Sequence, residues 1–234
     1  MSNNPFASNK NFKEKLKQKF EQEDSGGSGG NRGPDLRLLN HFDLPEGGKM
    51  HVLLIPDSNG EYVVDYTNHG GGMPRDLRAG TINCAYHSSG ESCPACAISW
   101  EAYNNGDQKA NQMWNKSTHI VAQCIVLQSD VEVNQPEDDD NLVKLFRMPM
   151  AIYKKMKNDL LEGLIDDPSM HELVIKKSKN GKMNSYDQSY FIQKEVNVPD
   201  EIVEAYEQGL VRPYEFDELV GDLIPEPTTA EDVQ

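Results

Sequence analysis

A mainly β (α+β) fold, a small five-stranded barrel with one inserted cysteine-rich segment, is what this sequence predicts. Three observations carry that expectation. Apolar segments of strand length are separated by Asn-Gly turns and an acidic loop. One helical pattern lies among them. Three of the four cysteines crowd into a single Gly- and Ser-rich stretch. Five antiparallel strands with one helix fit an OB-type Greek-key barrel, a fold that commonly binds oligonucleotides or oligosaccharides.

The elements follow in order along the chain. Residues 1–23 form a basic arm, in which Phe12, Leu16 and Phe20 recur at helical spacing among Lys10, Lys13, Lys15, Lys17 and Lys19. "DSGGSGGNRGP", residues 24–34, breaks the helix and reads as a flexible linker. The core is expected over 35–198. "GNRGPDLRLL" reads as a weak strand, and "MHVLLIP" and "EYVVDYTNH" read as two strong ones, with Asn59-Gly60 as a hairpin turn between them. "STHIVAQCIVLQ" (117–128) is a long apolar strand. "NLVKLFRMP" (141–149) is its partner across the acidic loop "DVEVNQPEDDD". "AIYKKMKNDLLEGL" (151–164) places Ile152, Met156 and Leu160 on one helix face. "HELVIKKSKNGKMNSYDQSYFIQ" reads as two strands around Asn180-Gly181. Residues 199–234 complete the chain as an acidic tail, and within it Phe216, Leu219 and Leu223 are an apolar partner motif.

Charge separates along this layout. The formal net charge is -15, which on its own argues against a polyanionic ligand. Yet residues 1–20 carry five lysines against Glu14, and residues 195–234 carry twelve acids against Arg212. The excess therefore sits in the tail and one loop. No apolar run approaches a membrane span, and the first twenty residues lack a signal-peptide core. A cytoplasmic location is expected, where thiols stay reduced and clustered cysteines point to metal before disulfides.

Cys84, Cys93 and Cys96 are spaced C-x8-C-x2-C. A C-x2-C knuckle grips one ion from a tight turn, and a structural tetrahedral zinc needs two further Cys or His ligands. Cys84 supplies one. His87 is the fourth by local spacing, His69 is the alternative fifteen residues before Cys84, and Cys124 fits a buried position in its apolar strand. The zinc would staple a segment of about 66–110 that is too polar to fold alone, its binding free energy becoming folding free energy. Catalysis is not expected. The H-x-E and P-C-x-x-C pattern of zinc deaminases is missing, and four protein ligands leave no open position.

"NHG" (68–70), Cys84 and "ESCPACAIS" (91–99), with "FRMPMAIYKKM" (146–156) and "NSYDQSYF" (184–191), resemble the gene-32-type single-stranded DNA-binding proteins of tailed phages. The resemblance spans roughly residues 50–191. It implies an OB-fold core with a zinc subdomain, a basic arm for self-association along the strand, and an acidic tail for replication and recombination proteins. It implies one structural Zn2+ held by His69, Cys84, Cys93 and Cys96. It also implies a non-enzymatic role in phage DNA replication, recombination and repair, in the cytoplasm of the infected host.

Single-strand binding needs aromatic faces for bases and cations for phosphates. The stacking candidates are Tyr186, where the resemblance is closest, and Phe146, Tyr190 and Trp114. The phosphate candidates are Lys144, Arg147, Lys176, Lys177, Lys179, Lys182, Lys116, Arg75 and Arg78. The rival reading is a zinc-stapled protein-interaction module that acts through its acidic surfaces.

Overall fold

The structure, a computed structural model, describes residues 36–69, 82–84, 90, 92–135, 139–220 and 223. The basic arm, the linker, Arg75, Arg78, His87, Glu91 and most of the tail beyond Val220 lie outside the described residues. The fold is mixed α/β. Nine strands run in chain order among the described residues: β1 (Lys49–Leu54), β2 (Val63–His69), β3 (Ile82–Asn83), β4 (Ser117–Ser129), β5 (Val143–Met148), β6 (His171–Lys176), β7 (Ser178–Asn180), β8 (Met183–Ser185) and β9 (Tyr190–Glu195). Among the described residues, four helices join them: α1 (Pro94–Asn104), α2 (Gln108–Met113), α3 (Met150–Leu161) and α4 (Asp200–Glu207). Among the described residues, no helix is long and apolar enough to cross a membrane.

Seven strands form one sheet, curled as a half-barrel, in the order β3-β2-β4-β1-β6-β9, with β5 also on β4. This corrects the expected count of five. Within the sheet, β3 is a strand not expected from the sequence, and the segment read as two strands around Asn180-Gly181 carries four, of which β6 and β9 join the sheet. In that segment Gly181, at φ +62, turns the short β7–β8 ribbon, which is a separate two-stranded sheet. A second turn, with the Ser189 amide donating to the Tyr186 carbonyl at 3.0 Å, then returns the chain as β9 to pair with β6. Among the described residues of "GNRGPDLRLL", 36–39, a bridge at Leu38 pairs with Leu145 in place of a strand.

The described residues divide into two compact units, with the boundaries falling inside β2 and β4. The first takes 36–64 and 121–215. Its centre is β1, hydrogen-bonded to β4 on one side and β6 on the other, with Met50, Val52, Leu53 and Leu54 buried. Leu53, Ile55, Ile125, Val143, Val198, Ala205 and Val211 form one apolar cluster in this unit.

That cluster corrects the tail. Residues 199–215 fold: Pro199, Asp200 and Glu201 start α4, and Ala205 and Val211 are buried in the cluster. Two amide side chains then clamp the following backbone. Asn141 donates to the Arg212 carbonyl (2.8 Å) and accepts from the Arg212 amide (3.0 Å). Gln123 does the same for Tyr214, at 3.0 and 2.7 Å. Phe216, Leu219 and Leu223, read from the sequence as an apolar partner motif in the tail, are buried in the second unit.

The second unit takes the described part of 65–120 together with the segment from Phe216. It holds β3, α1, α2 and the adjoining stretches of β2 and β4. One buried cluster in it is small: Cys84, Cys93 and Ala95, with half-buried Cys96 and Trp114 against them.

Candidate metal centre

Four elements converge to build this centre. His69 ends β2. Its pairing with Ile82 in β3, and the Cys84 amide bonded to the Thr67 carbonyl at 2.7 Å, bring Cys84 alongside that strand end. Cys93 caps α1 in extended geometry, and Pro94 takes the first helical position, where its missing N–H costs nothing. One turn on, Cys96 faces back toward Cys93. Asp107 caps α2 through the Ala110 amide at 3.0 Å, and α2 ends at Trp114.

His69, Cys84, Cys93 and Cys96 place their donor atoms within 4.8 Å of one another. Cys84 Sγ lies 3.5 Å from Cys96 Sγ, and His69 Nε2 lies 3.5 Å from Cys93 Sγ and 3.4 Å from Cys96 Sγ. Bonds of about 2.3 Å to sulfur and 2.0 Å to nitrogen separate tetrahedral ligand atoms by roughly 3.5–3.8 Å. The cluster can therefore hold one metal ion and is consistent with zinc.

The chemistry of the donor set agrees. His69 Nδ1–H donates to the Trp114 carbonyl at 2.8 Å, which fixes the tautomer and turns the Nε2 lone pair toward the sulfurs. All four cysteines are free. Burial, reinforced by Cys84 and Cys93, pushes the Cys96 thiol up to about 12. A bound divalent cation reverses that preference and draws the thiolates out. His87, which local spacing favours, lies outside the described residues, and His69 completes the described set. Cys124 is fully buried in β4, and burial raises its thiol, so it is a packed apolar residue.

The expected nucleic-acid residues fare unevenly. Phe146 and Tyr186 are buried, at 0% and 6% exposure, and neither offers a face to a base as it stands. Lys144 is buried too, its Nζ 3.5 Å from the Leu36 carbonyl. The physical reason is that β5 is covered on both faces, with only Arg147 half-exposed along it. Trp114 belongs to the metal cluster's packing. Tyr190 and Lys116 are exposed. Lys179 and Lys182 are exposed on the β7–β8 ribbon, and Lys176 and Lys177 are half-buried at its root.

Two exposed aromatic features escaped the sequence reading. Trp100 and Tyr103 on α1 are 65% and 66% exposed and stack at 5.8 Å between ring centroids. Phe42, in a short 3-10 turn before β1, is 52% exposed. The i, i+3 spacing of the first pair was available from the sequence. Phe42 has no periodic neighbour to mark it. No protein-family model matches the chain, and no curated protein matches it significantly.

Proposed function

We propose that this protein binds single-stranded DNA, with one structural zinc held by His69, Cys84, Cys93 and Cys96. The convergence of those four donors carries the reading, because they are the ligands that the resemblance to gene-32-type proteins implies. The curled sheet of the first unit supports an OB-type binding surface, and the lysines of the β7–β8 ribbon supply phosphate contacts beside it. The zinc is structural in this proposal, since four protein ligands close its coordination. The role carried over with the resemblance is coating of unpaired strands during phage replication, recombination and repair in the host cytoplasm. Residues 1–23 serve self-association along the strand, and the acidic residues beyond Val220 engage other replication proteins.

The test is titration of zinc-loaded full-length protein with oligo(dT) at several salt concentrations. Binding whose log affinity falls linearly with log salt supports the reading. Absence of binding at low salt refutes it. The exposed Trp100–Tyr103 pair favours a second reading, a zinc-stapled protein-interaction module, because exposed aromatic pairs are typical anchors of protein interfaces. That reading gains if oligo(dT) fails to bind.

A further inference from the structure

With Tyr186 and Phe146 buried, Tyr190 is the expected stacking residue of the first unit that stays exposed, and a strand longer than one base calls for a second face. We propose that Phe42 is that face: a base-stacking platform for single-stranded DNA, braced from beneath by His41 and Tyr186 and flanked by Lys177 and Lys179. The inference rests on the single-strand reading and names the residues of its binding surface.

Four observations place the platform. The Phe42 ring is half in solvent and packs against two other rings, tilted on His41 and edge-on to Tyr186. The His41 ring centroid is 3.8 Å away, and Tyr186 meets Phe42 edge-on at 6.4 Å. His41 is itself edge-on to Phe146 at 5.1 Å and to Tyr186 at 5.3 Å, so the ring cluster reaches into the core. A ring so braced loses little freedom when a base stacks on it, which is what makes a stacking contact effective.

The cations are in place. Lys177 Nζ donates to the Phe42 carbonyl at 2.5 Å, tying the turn to the root of the lysine ribbon. Lys179, exposed on β7, sits 3.7 Å from Glu46 of the loop that follows Phe42, and the Gly47 amide donates to the Lys177 carbonyl at 2.8 Å. Asp43 and Glu46 share that loop, so phosphate contact by Lys179 exchanges the Glu46 carboxylate for a phosphodiester.

Under the platform, His41 Nε2 and Tyr186 OH are buried with no hydrogen-bond partner among the described residues. Buried orphan polar atoms are uncommon in a native fold, and two beneath one exposed ring mark a place where local satisfaction was given up for another purpose. His41 Nδ1–H donates to the Leu39 carbonyl at 3.1 Å, leaving Nε2 an acceptor beside a phenol donor.

The experiment uses zinc-loaded full-length protein and oligo(dT). Phe42→Ala is expected to weaken binding about tenfold or more, equivalent to ~1.4 kcal/mol, with the salt slope unchanged because no phosphate contact is lost. Phe42→Trp is expected to bind within about twofold of the parent protein and to show emission quenched by the oligonucleotide. Phe42→Leu keeps apolar bulk without a ring and is expected to behave as the alanine variant. If the parent protein binds and Phe42→Ala or Phe42→Leu binds within about twofold of it, the platform is refuted while the single-strand reading stands. If the parent protein does not bind, both fall.

Discussion

The two units hold their chains by different means. The first buries a broad apolar cluster, from Leu53 and Ile55 through Ile125 and Val143 to Val198 and Val211. Each such side chain contributes about 1.5–3 kcal/mol by leaving water. The second has Cys84, Cys93 and Ala95 in one small buried cluster, with Cys96 and Trp114 half-buried around them. Around these donors there is little hydrocarbon to offset the conformational entropy of ordering them, although Tyr66, Ile120, Phe216 and Leu219 are buried elsewhere in the unit. A metal ion can offset it, since structural zinc contributes roughly 10–16 kcal/mol in finger-sized peptides. With a metal bound, the contrast would be between solvent exclusion in one place and coordination in the other, and the two should fail under different insults.

The largest effect should come from attacking the coordination. Both tryptophans of the chain, Trp100 and Trp114, lie in the second unit, so their emission reports on that unit alone. Chelation, or Cys93→Ser, is expected to red-shift that emission and release one equivalent of zinc. The β-sheet circular dichroism of the first unit should persist with its own thermal transition. A simultaneous loss of both signals would break the comparison.

The reciprocal attack is smaller. Ile125 is 1% exposed in the apolar cluster, and Ile125→Ala removes buried methylenes and leaves a cavity. The expected loss is about 2–5 kcal/mol of the first unit's stability, read by denaturant titration of the sheet signal. Zinc stoichiometry and tryptophan emission below the transition should not change.

A third effect, of similar or lesser size, belongs to His41. Burial is the main cause that lowers its pKa from 6.5 to about 4, with Lys177 adding to it and the Leu39 carbonyl and Asp43 opposing. The imidazole is neutral when folded and titrates near 6.5 when unfolded. The folded form therefore loses ground as protons become available. This contribution is whole above about pH 6.5 and is lost as pH falls toward about 4, a span of roughly 3 kcal/mol. The check is His41→Gln. The stability difference between pH 7 and pH 4 should shrink in the variant relative to the parent protein, and an unchanged difference would remove His41 from the account.

These regions also differ in how far they were legible in the sequence. The C-x2-C knuckle and Cys84 announce a metal because their chemistry is local. The fourth ligand was not local: His69 reaches the cluster through the β2–β3 pairing, which spacing along the chain cannot register. The main strands were readable from alternation and turns. Which face each presents was not, because β5 is buried on both sides and so hides Phe146 and Lys144 together. The helix α4 had a legible start in Pro199-Asp200-Glu201 and a stop at Gly209, but its acid count masked the apolar face formed by Ile202, Val203 and Ala205. Phe42 had no pattern at all, and only tertiary packing distinguishes it from any other exposed aromatic.

The smallest expected effect compares two ways of holding one segment within the first unit. Asn141 is buried and exchanges two hydrogen bonds with the Arg212 backbone. The Arg212 guanidinium, in solvent, pairs with Asp139 at 3.0 Å and Asp140 at 2.6 Å and holds the Asp140 carboxyl below its ordinary range. The two look equally well made, yet water competes for only one of them. Arg212→Ala should leave the denaturation midpoint nearly unmoved at 0.5 M salt or so, where exposed charges are screened. Asn141→Ala strips both backbone groups of Arg212 of their partner and should cost about 1–3 kcal/mol at any salt. If the arginine variant were the more damaging of the pair, the segment after α4 would be held by charge, and burial would no longer explain how the first unit keeps its edge.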